Sequence, residues 1–206
     1  MFIPNTFKNK NTEEIKNFLI ENSFGILVSQ TKGKLTGTHI PMELDKDENG
    51  ADVLIGHIAK ANPQWENFNQ NEEVLAIFNG PHSYVSSSWY KKENVPTWNY
   101  IAVHVYGKIK IIEGDELLIS LKKLVNKYET KSETPVSVEN MSSNTLKQIN
   151  GIVGFSIKIK EVQAAYKLSQ NRNKSDYHNI VNKLENSGDS ISTEVAKEMK
   201  KNKTNY

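Results

Sequence analysis

The segment from Gly56 to Trp65 carries residues that could bind a phosphate group. An apolar, strand-like stretch leads into Lys60 and then into the pair Asn62-Pro63. Asn at an N-cap followed by Pro at the first helical position predicts that a helix begins there. Free backbone amides at a helix N-terminus attract anions, and the neighbouring Lys60 adds a positive charge. The segment therefore suits a phosphate, although a strand-to-helix turn with a hydrated lysine is an alternative interpretation.

Two further segments are rich in side chains that suit a ligand or an interface. Residues 80–100 hold several tyrosines together with Trp89 and Trp98, and such rings can line a flat pocket, form an interface or close the end of a barrel. In residues 167–172 every side chain except that of Leu168 can form a hydrogen bond. Arg172 is the single arginine of the chain, and its planar fork suits phosphate or carboxylate. This last segment predicts a ligand contact or a solvated turn.

Several other chemistries are excluded or unsupported by the residue content. The absence of cysteine excludes disulfides, thiolate metal sites and cysteine nucleophiles. The histidines at positions 39, 57, 82 and 104 lack the spacing of common metal motifs, so no metal is expected. No nucleophile elbow, phosphate-binding loop or dinucleotide fingerprint is present, and catalytic residues remain unassigned. The net charge of +2 predicts no extensive nucleic-acid surface, although a local patch is compatible with it.

The chain length and hydropathy favour a water-soluble protein of the cytoplasm. A chain of 206 residues fits one domain with a small appendage. No apolar run approaches the roughly 20 residues that span a bilayer. The opening Met1 to Lys10 is short and mixed, unlike a signal peptide. We therefore expect a cytoplasmic location and no membrane contact.

The hydrophobic periodicity predicts a mainly β (α+β) protein. Strands are predicted over residues 24–30, 35–42, 53–58, 73–78, 100–113 and 152–167. Thr31-Lys32-Gly33-Lys34 is expected to form a hairpin turn. Asn79-Gly80-Pro81 is expected to end the fourth strand, and a loop is expected from His82 to Asn99. Helices are predicted from Asn11, from Asn62 to about Asn69, over 115–128, from Ser143 to Gly151, and on both sides of Ser187-Gly188-Asp189. This order favours a small antiparallel barrel over residues 1–172 with a helical C-terminal extension over 173–206.

Taken together, these segments resemble the signature blocks of the PaiB family. The resemblance lies in residues 56–65, 95–107 and 167–172, in the opening Met1-Phe2-Ile3-Pro4 and in Gly37-Thr38-His39-Ile40-Pro41, and it extends over nearly the whole chain. It implies a split β-barrel that binds flavin mononucleotide (FMN). It further implies a homodimer with the flavin at the subunit interface, and activity as a negative transcriptional regulator.

The resemblance also implies which residues contact the flavin. Residues expected beside the flavin ring are Thr38, His39, Ile40 and Pro41. Residues expected near the phosphate are His57, Ile58, Ala59, Lys60 and Asn62. The strand with Trp98, Tyr100 and His104 is expected to reach the flavin, including from the partner subunit. Gln170 and Arg172 are expected to complete the site, with Arg172 as a phosphate or dimer contact.

Regulation and enzymatic activity remain alternative functions at this point. No helix-turn-helix is found, and acidic residues dilute the tail lysines Lys200, Lys201 and Lys203, so DNA contact is unsupported and regulation could be indirect. A flavin-dependent oxidoreductase, or a haem-handling relative of the same barrel, is the alternative. The pyridoxamine-phosphate oxidases carry arginine-rich patterns where this chain has Ile, Ala and His, which argues against that activity. A dimeric barrel with an empty pocket is a third interpretation.

Overall fold

The computed structural model describes residues 1–68 and 73–202, apart from the side chain of Thr31. The strands are β1 (Lys8–Asn9), β2 (Phe24–Thr31), β3 (Lys34–Lys46), β4 (Asp52–Ala59), β5 (Glu73–Val85), β6 (Thr97–Ile112) and β7 (Ile152–Lys167). The α-helices are α1 (Thr12–Glu21), α2 (Gly114–Glu129), α3 (Ser143–Leu146), α4 (Lys174–Glu185) and α5 (Ser190–Lys201). Short 3-10 helices cover Asn5–Phe7, Pro63–Asn67, Ser87–Trp89, Val138–Asn140 and Lys147–Gly151.

Within the described residues, the strands form one seven-stranded sheet in the order β1-β7-β4-β3-β2-β5-β6. The pairings with a described register are all antiparallel. Strand β6 also pairs with β7, so the hydrogen-bonded strands β7-β4-β3-β2-β5-β6 return on themselves. Such closure removes the unpaired edges that an open sheet would expose. The prediction of a mainly β, antiparallel barrel is confirmed.

The chain divides into two compact units. The terminal unit contains Met1–Phe18, Phe78–His104 and Gln163–Tyr206, and the central unit contains Leu19–Ile77 and Val105–Val162. Apolar side chains from β6, α4 and α5 form the core of the terminal unit, including Val103, Ile180 and Val195. The central unit has its own core, which includes Leu27, Met42, Leu54, Phe155 and Ile157. The boundary at residue 172 inferred from composition stays a prediction.

The hairpin of β2 and β3 forms as its turn residues predict. Lys32 and Gly33 both have positive φ, at 51° and 77°, which is the geometry of a tight hairpin turn. Strand β3 continues four residues beyond its predicted end at Met42, because its register with β4 continues from Met42 opposite Gly56 to Lys46 opposite Asp52. The longer strand places Glu43 and Asp45 within the sheet.

The prediction that Asn79-Gly80-Pro81 ends the fourth strand is wrong. Strand β5 runs through these residues to Val85, and β6 begins at Thr97, so the predicted loop is shorter at both ends. The reason is close packing: a Cβ at Gly80 would lie 2.7 Å from Cε2 of Phe18 and 3.0 Å from Cβ of Ile101. Glycine here permits contact between neighbours rather than a turn.

The predicted helices are confirmed except for the one after Pro63 and the one from Ser143 to Gly151, which divides into α3 and the 3-10 helix Lys147–Gly151. Two calls lie outside the described residues. Asn11 caps α1 by accepting a hydrogen bond from the Glu14 amide (3.2 Å), and α4 and α5 flank the predicted Ser187–Asp189 break. These two calls concern Asn69 and Lys203, which lie outside the described residues. No helix in the described part of the chain is long and apolar enough to cross a membrane. No cluster of metal ligands occurs among residues 1–68 and 73–202.

Candidate functional site

A fully buried glutamine, Gln64, holds the turn after β4 against the β2–β3 hairpin. Its Nε2 donates to the carbonyl oxygens of Leu27 (3.1 Å) and Thr36 (3.2 Å) and to Oγ of Ser29 (3.0 Å). Its Oε1 accepts from Oγ1 of Thr38 at 2.5 Å. All these contacts lie within the central unit, and they fix the turn relative to the strand predicted to flank a ligand.

Asn62 extends this network and joins two of the predicted site residues. Its Oδ1 accepts a hydrogen bond from the backbone N–H of Gln64 at 3.0 Å, as predicted for an N-cap. Its Nδ2 donates to Oγ1 of Thr38 at 3.0 Å. The side chains of Thr38 and Asn62 thus serve to position the turn. Gln64 was missed as a functional residue because its complete burial depends on strands distant in sequence.

The prediction of an α-helix after Asn62 is wrong, because a short 3-10 helix over Pro63–Asn67 takes its place. The anion contact expected at this segment stays a prediction. A helix this short has little macrodipole. The nearby amides are also engaged: those of Lys60 and Asn62 donate to the carbonyl oxygens of Gly151 (2.8 Å) and Ala59 (2.9 Å). What remains suited to an anion is the Lys60 ammonium, because its side chain is exposed.

Successive side chains of β3 and β4 point to opposite faces of the sheet, so the other predicted residues of the central unit fall into a buried group and a more exposed group. Ile40 and Ile58 are buried in the core, so only their backbone can meet a ligand. His39 is exposed and stacks on Phe24, with ring centroids 6.4 Å apart, and Phe24 itself is 64% exposed. Pro41 is half-buried, and Ala59 is exposed beside Lys60. The face with His39 and Pro41 can accept a flat ring.

His57 lies on that same face and lines a cavity of about 310 Å³ within the central unit. The cavity residues are Ile20, Pro41, Glu43, Leu44, Asp45, Ile55, Gly56, His57, Ser120, Lys123, Leu124 and Lys127. Burial lowers the pKa of His57, so its imidazole is neutral at neutral pH. Lys60 and Asn62 do not line this cavity, and the grouping of His57 with them at the phosphate stays a prediction.

In the terminal unit, Trp98 is the centre of an aromatic cluster. It is 53% exposed, and its ring centroid lies 5.9 Å from that of Tyr84 and 6.2 Å from that of His82. Tyr100 and His104 follow on β6 at the same side-chain alternation and are half-buried. Burial, with a smaller contribution from the positive N-terminus, lowers the pKa of His104. An exposed aromatic cluster of this kind suits a planar ligand or a protein interface.

The segment Lys167–Arg172 forms a tight turn at the end of β7. Ser169 has φ of 60°, and its Oγ donates to Oδ1 of Asn99 at 3.0 Å. Nε2 of Gln170 donates to the carbonyl oxygens of Tyr166 (2.6 Å) and Thr6 (3.2 Å), so this predicted contact residue stabilises the turn itself.

The two cations of this turn lie close to aromatic rings. Arg172 places its guanidinium carbon 4.7 Å from the ring centroid of Tyr90, a cation–π contact that the sequence did not indicate. Nζ of Lys167 hydrogen-bonds to Thr97 and lies 5.9 Å from the ring centroid of Phe7. Burial, and then the charge of Arg172, lower the pKa of Lys167. The role of Arg172 as a phosphate or dimer contact stays a prediction.

The C-terminal helices carry lysines that are paired with carboxylates. Lys197 pairs with Glu194 and Lys201 with Glu198, each at 2.6 Å, and Lys200 pairs with Glu185. DNA-binding surfaces present clustered basic side chains to phosphates. Within the described residues, helix α5 does not offer such a stripe, because each of its lysines lies beside an acid.

Comparison with known proteins agrees with the flavin-related expectation. Residues 1–161 match a family model described as "Putative FMN-binding domain". The chain is 50% identical over 187 residues to the "Protease synthase and sporulation protein PAI 2" of Bacillus subtilis (strain 168), covering 90% of both chains.

Two solved structures are similar in fold. The "FAD and Heme binding protein from Mycobacterium smegmatis" has a TM-score of 0.62 and 12% identity, covering 83% of this chain and 78% of that one. The "Flavocytochrome Anf3 from Azotobacter vinelandii" has a TM-score of 0.60 and 14% identity, covering 84% and 75%. At such identities the likeness concerns the fold alone.

Proposed function

This chain belongs to the FMN-binding domain family that its residues 1–161 match, and from that premise we propose that it binds FMN and acts as a negative transcriptional regulator. The observation that carries the regulatory part is the 50% identity, over 90% of both chains, to a protein named for protease synthesis and sporulation. We infer that this chain acts in the cytoplasm on genes of the same two processes.

The residues of the central unit fit the phosphate and the ring of FMN. A flavin nucleotide needs a positive group for its phosphate, a flat surface for its ring and polar groups at the ring edge. The exposed Lys60 supplies the first, and the face of β3 with His39 and Pro41 supplies the others. The Gln64 network keeps Lys60 and β3 in a fixed relation. When bound, FMN would supply redox chemistry at its isoalloxazine ring.

We further propose that the flavin lies between two copies of the chain in a homodimer. The exposed cluster of Tyr84 and Trp98 supports this, because aromatic side chains are enriched at protein interfaces. Regulation acts by a route other than a basic helix on DNA. The acid-paired lysines of α5 support that part of the proposal.

An FMN titration followed by absorbance and fluorescence tests the flavin site. We expect Lys60→Ala to weaken FMN binding by about tenfold or more, because a charge-assisted hydrogen bond contributes about 1.5–3 kcal/mol. Lys34→Ala is the matched control, since Lys34 is also exposed but lies at the hairpin turn. Equal affinity of Lys60→Ala and wild type would remove the phosphate assignment. No binding by the wild-type protein would contradict the cofactor proposal itself.

The regulatory role is tested in Bacillus subtilis lacking its 50% identical protein. Expression of this chain should lower extracellular protease activity and spore counts toward wild-type levels, and a strain carrying the empty vector is the control. Gel-shift assays at about 50 and 200 mM salt measure direct DNA contact, which we expect to be weak. Unchanged protease and spore output would refute the proposal, and bleaching of bound flavin by NADPH would favour an oxidoreductase instead.

A further inference from the structure

The cavity lined by His57 lies beneath helix α2 and has the dimensions of a small-molecule site. Its floor is the outer face of β3 and β4, where Pro41 and Ile55 alternate with buried residues, and its roof includes Ser120 and Leu124 of α2. A volume of about 310 Å³ is within the range of ligand pockets, which are mostly apolar with a few polar groups. This cavity matches that description.

Two ion pairs connect α2 to β3 at the cavity wall. Nζ of Lys127 lies 2.6 Å from Oε2 of Glu43, and Nζ of Lys123 lies 2.6 Å from Oδ2 of Asp45. The hydroxyl of Tyr128 also donates to Oε1 of Glu43 at 3.0 Å. The two ammonium groups balance the two carboxylates, so the wall carries no net charge. A charged ligand would meet one repelling group for every attracting one.

His57 is the polar group at the cavity floor. Its ring nitrogens make no hydrogen bond to any of the described residues, and the ring is half-buried. Because burial lowers its pKa, the imidazole is neutral and offers one donor and one acceptor nitrogen. A half-buried imidazole that makes no hydrogen bond within the described part of the protein can hydrogen-bond to a ligand that enters the cavity.

We propose that this cavity binds a small uncharged organic molecule, mostly apolar and carrying one hydroxyl or amide group that hydrogen-bonds to His57. The cavity does not include Lys60, the proposed FMN phosphate contact, but it shares Pro41 with the surface proposed for the flavin ring. The ligand class also differs from FMN, whose phosphate is negatively charged. The inference therefore names a second ligand of different chemistry, and competition with FMN tests whether the shared Pro41 surface belongs to the flavin site.

Three probes of nearly equal size test the proposal: benzyl alcohol, benzoate and benzylamine. The full-length protein is labelled with ¹³C and ¹⁵N in its histidines, and the imidazole signals of His57 are assigned with a His57→Gln variant. We expect benzyl alcohol to shift the His57 signals saturably. Benzoate and benzylamine should bind at least about tenfold more weakly, because the wall charges are balanced.

Variants on helix α2 provide the matched controls. Ser120→Trp should fill the cavity and abolish the benzyl alcohol shift, and Ser120→Leu gives a milder filling if the tryptophan variant does not fold. Asn126→Trp adds the same side chain to an exposed position of α2 that lines no part of the cavity, and it should leave the shift unchanged. Repeating the titration with FMN should also leave it unchanged.

Four outcomes would overturn the proposal: no shift of His57 with benzyl alcohol, tighter binding of either charged probe, a shift that persists in both folded Ser120 variants, or displacement of benzyl alcohol by FMN. The last would identify the cavity as part of the flavin site. A failure of FMN binding alone would leave the benzyl alcohol result intact, so the two proposals fail separately.

Discussion

Replacement of Gln64 by leucine removes the buried network that holds the turn after β4. Leucine has a similar volume, so the change removes hydrogen bonds while it leaves little empty space. The side-chain amide of Gln64 shares its two N–H groups among three acceptors, and its oxygen accepts one further hydrogen bond, from Thr38. This is equivalent to about three neutral hydrogen bonds, each contributing about 1 kcal/mol. We expect the free energy of unfolding to fall by about 3 kcal/mol.

Urea unfolding followed by circular dichroism measures this loss of free energy. Thermal unfolding should show a decrease in melting temperature of about 6–12 °C for a chain of 206 residues. Gln30→Leu is the matched control, because Gln30 is exposed on β2 and the same substitution should change stability by less than about 0.5 kcal/mol. A loss below about 1 kcal/mol for Gln64→Leu relative to this control would refute the reasoning. It would mean that water replaces the lost partners.

Two further predictions concern backbone packing and protonation in the central unit. Gly56→Ala should destabilise the protein by about 1–3 kcal/mol in urea titrations, because the new Cβ would lie 2.7 Å from Cζ of Phe155. Gly151→Ala is the control and should be nearly neutral, because its new Cβ would meet nothing within 4 Å. As pH falls below about 6.5, the unfolded state takes up protons that the buried His57 resists, so stability should decrease. His57→Gln should reduce this decrease between about pH 7.5 and 5.5, leaving the part due to His104. An identical pH dependence in the variant and the wild-type protein would contradict the assignment.

The sequence predicted those elements whose signals are local. Helix α2 follows from its apolar periodicity, the turn of β2 and β3 from Lys32-Gly33, and β7 from a continuous β-prone run, because each depends on neighbours along the chain. The antiparallel barrel followed from the order of these elements, and the family resemblance followed from residue blocks such as 56–65, 95–107 and 167–172. The cap of Asn62 was predicted for the same reason.

Tertiary structure decided what depends on residues distant in sequence. Gly80 is a turn signal in isolation, yet it lies in a strand because Phe18 and Ile101 occupy the space where a side chain would be. Gln64 reads as an ordinary polar residue, and only the arrival of β2 and β3 buries it. Chain composition by itself specifies which groups are present. The cavity and the burial that keeps His57 neutral arise only when β3, β4 and α2 enclose the same volume.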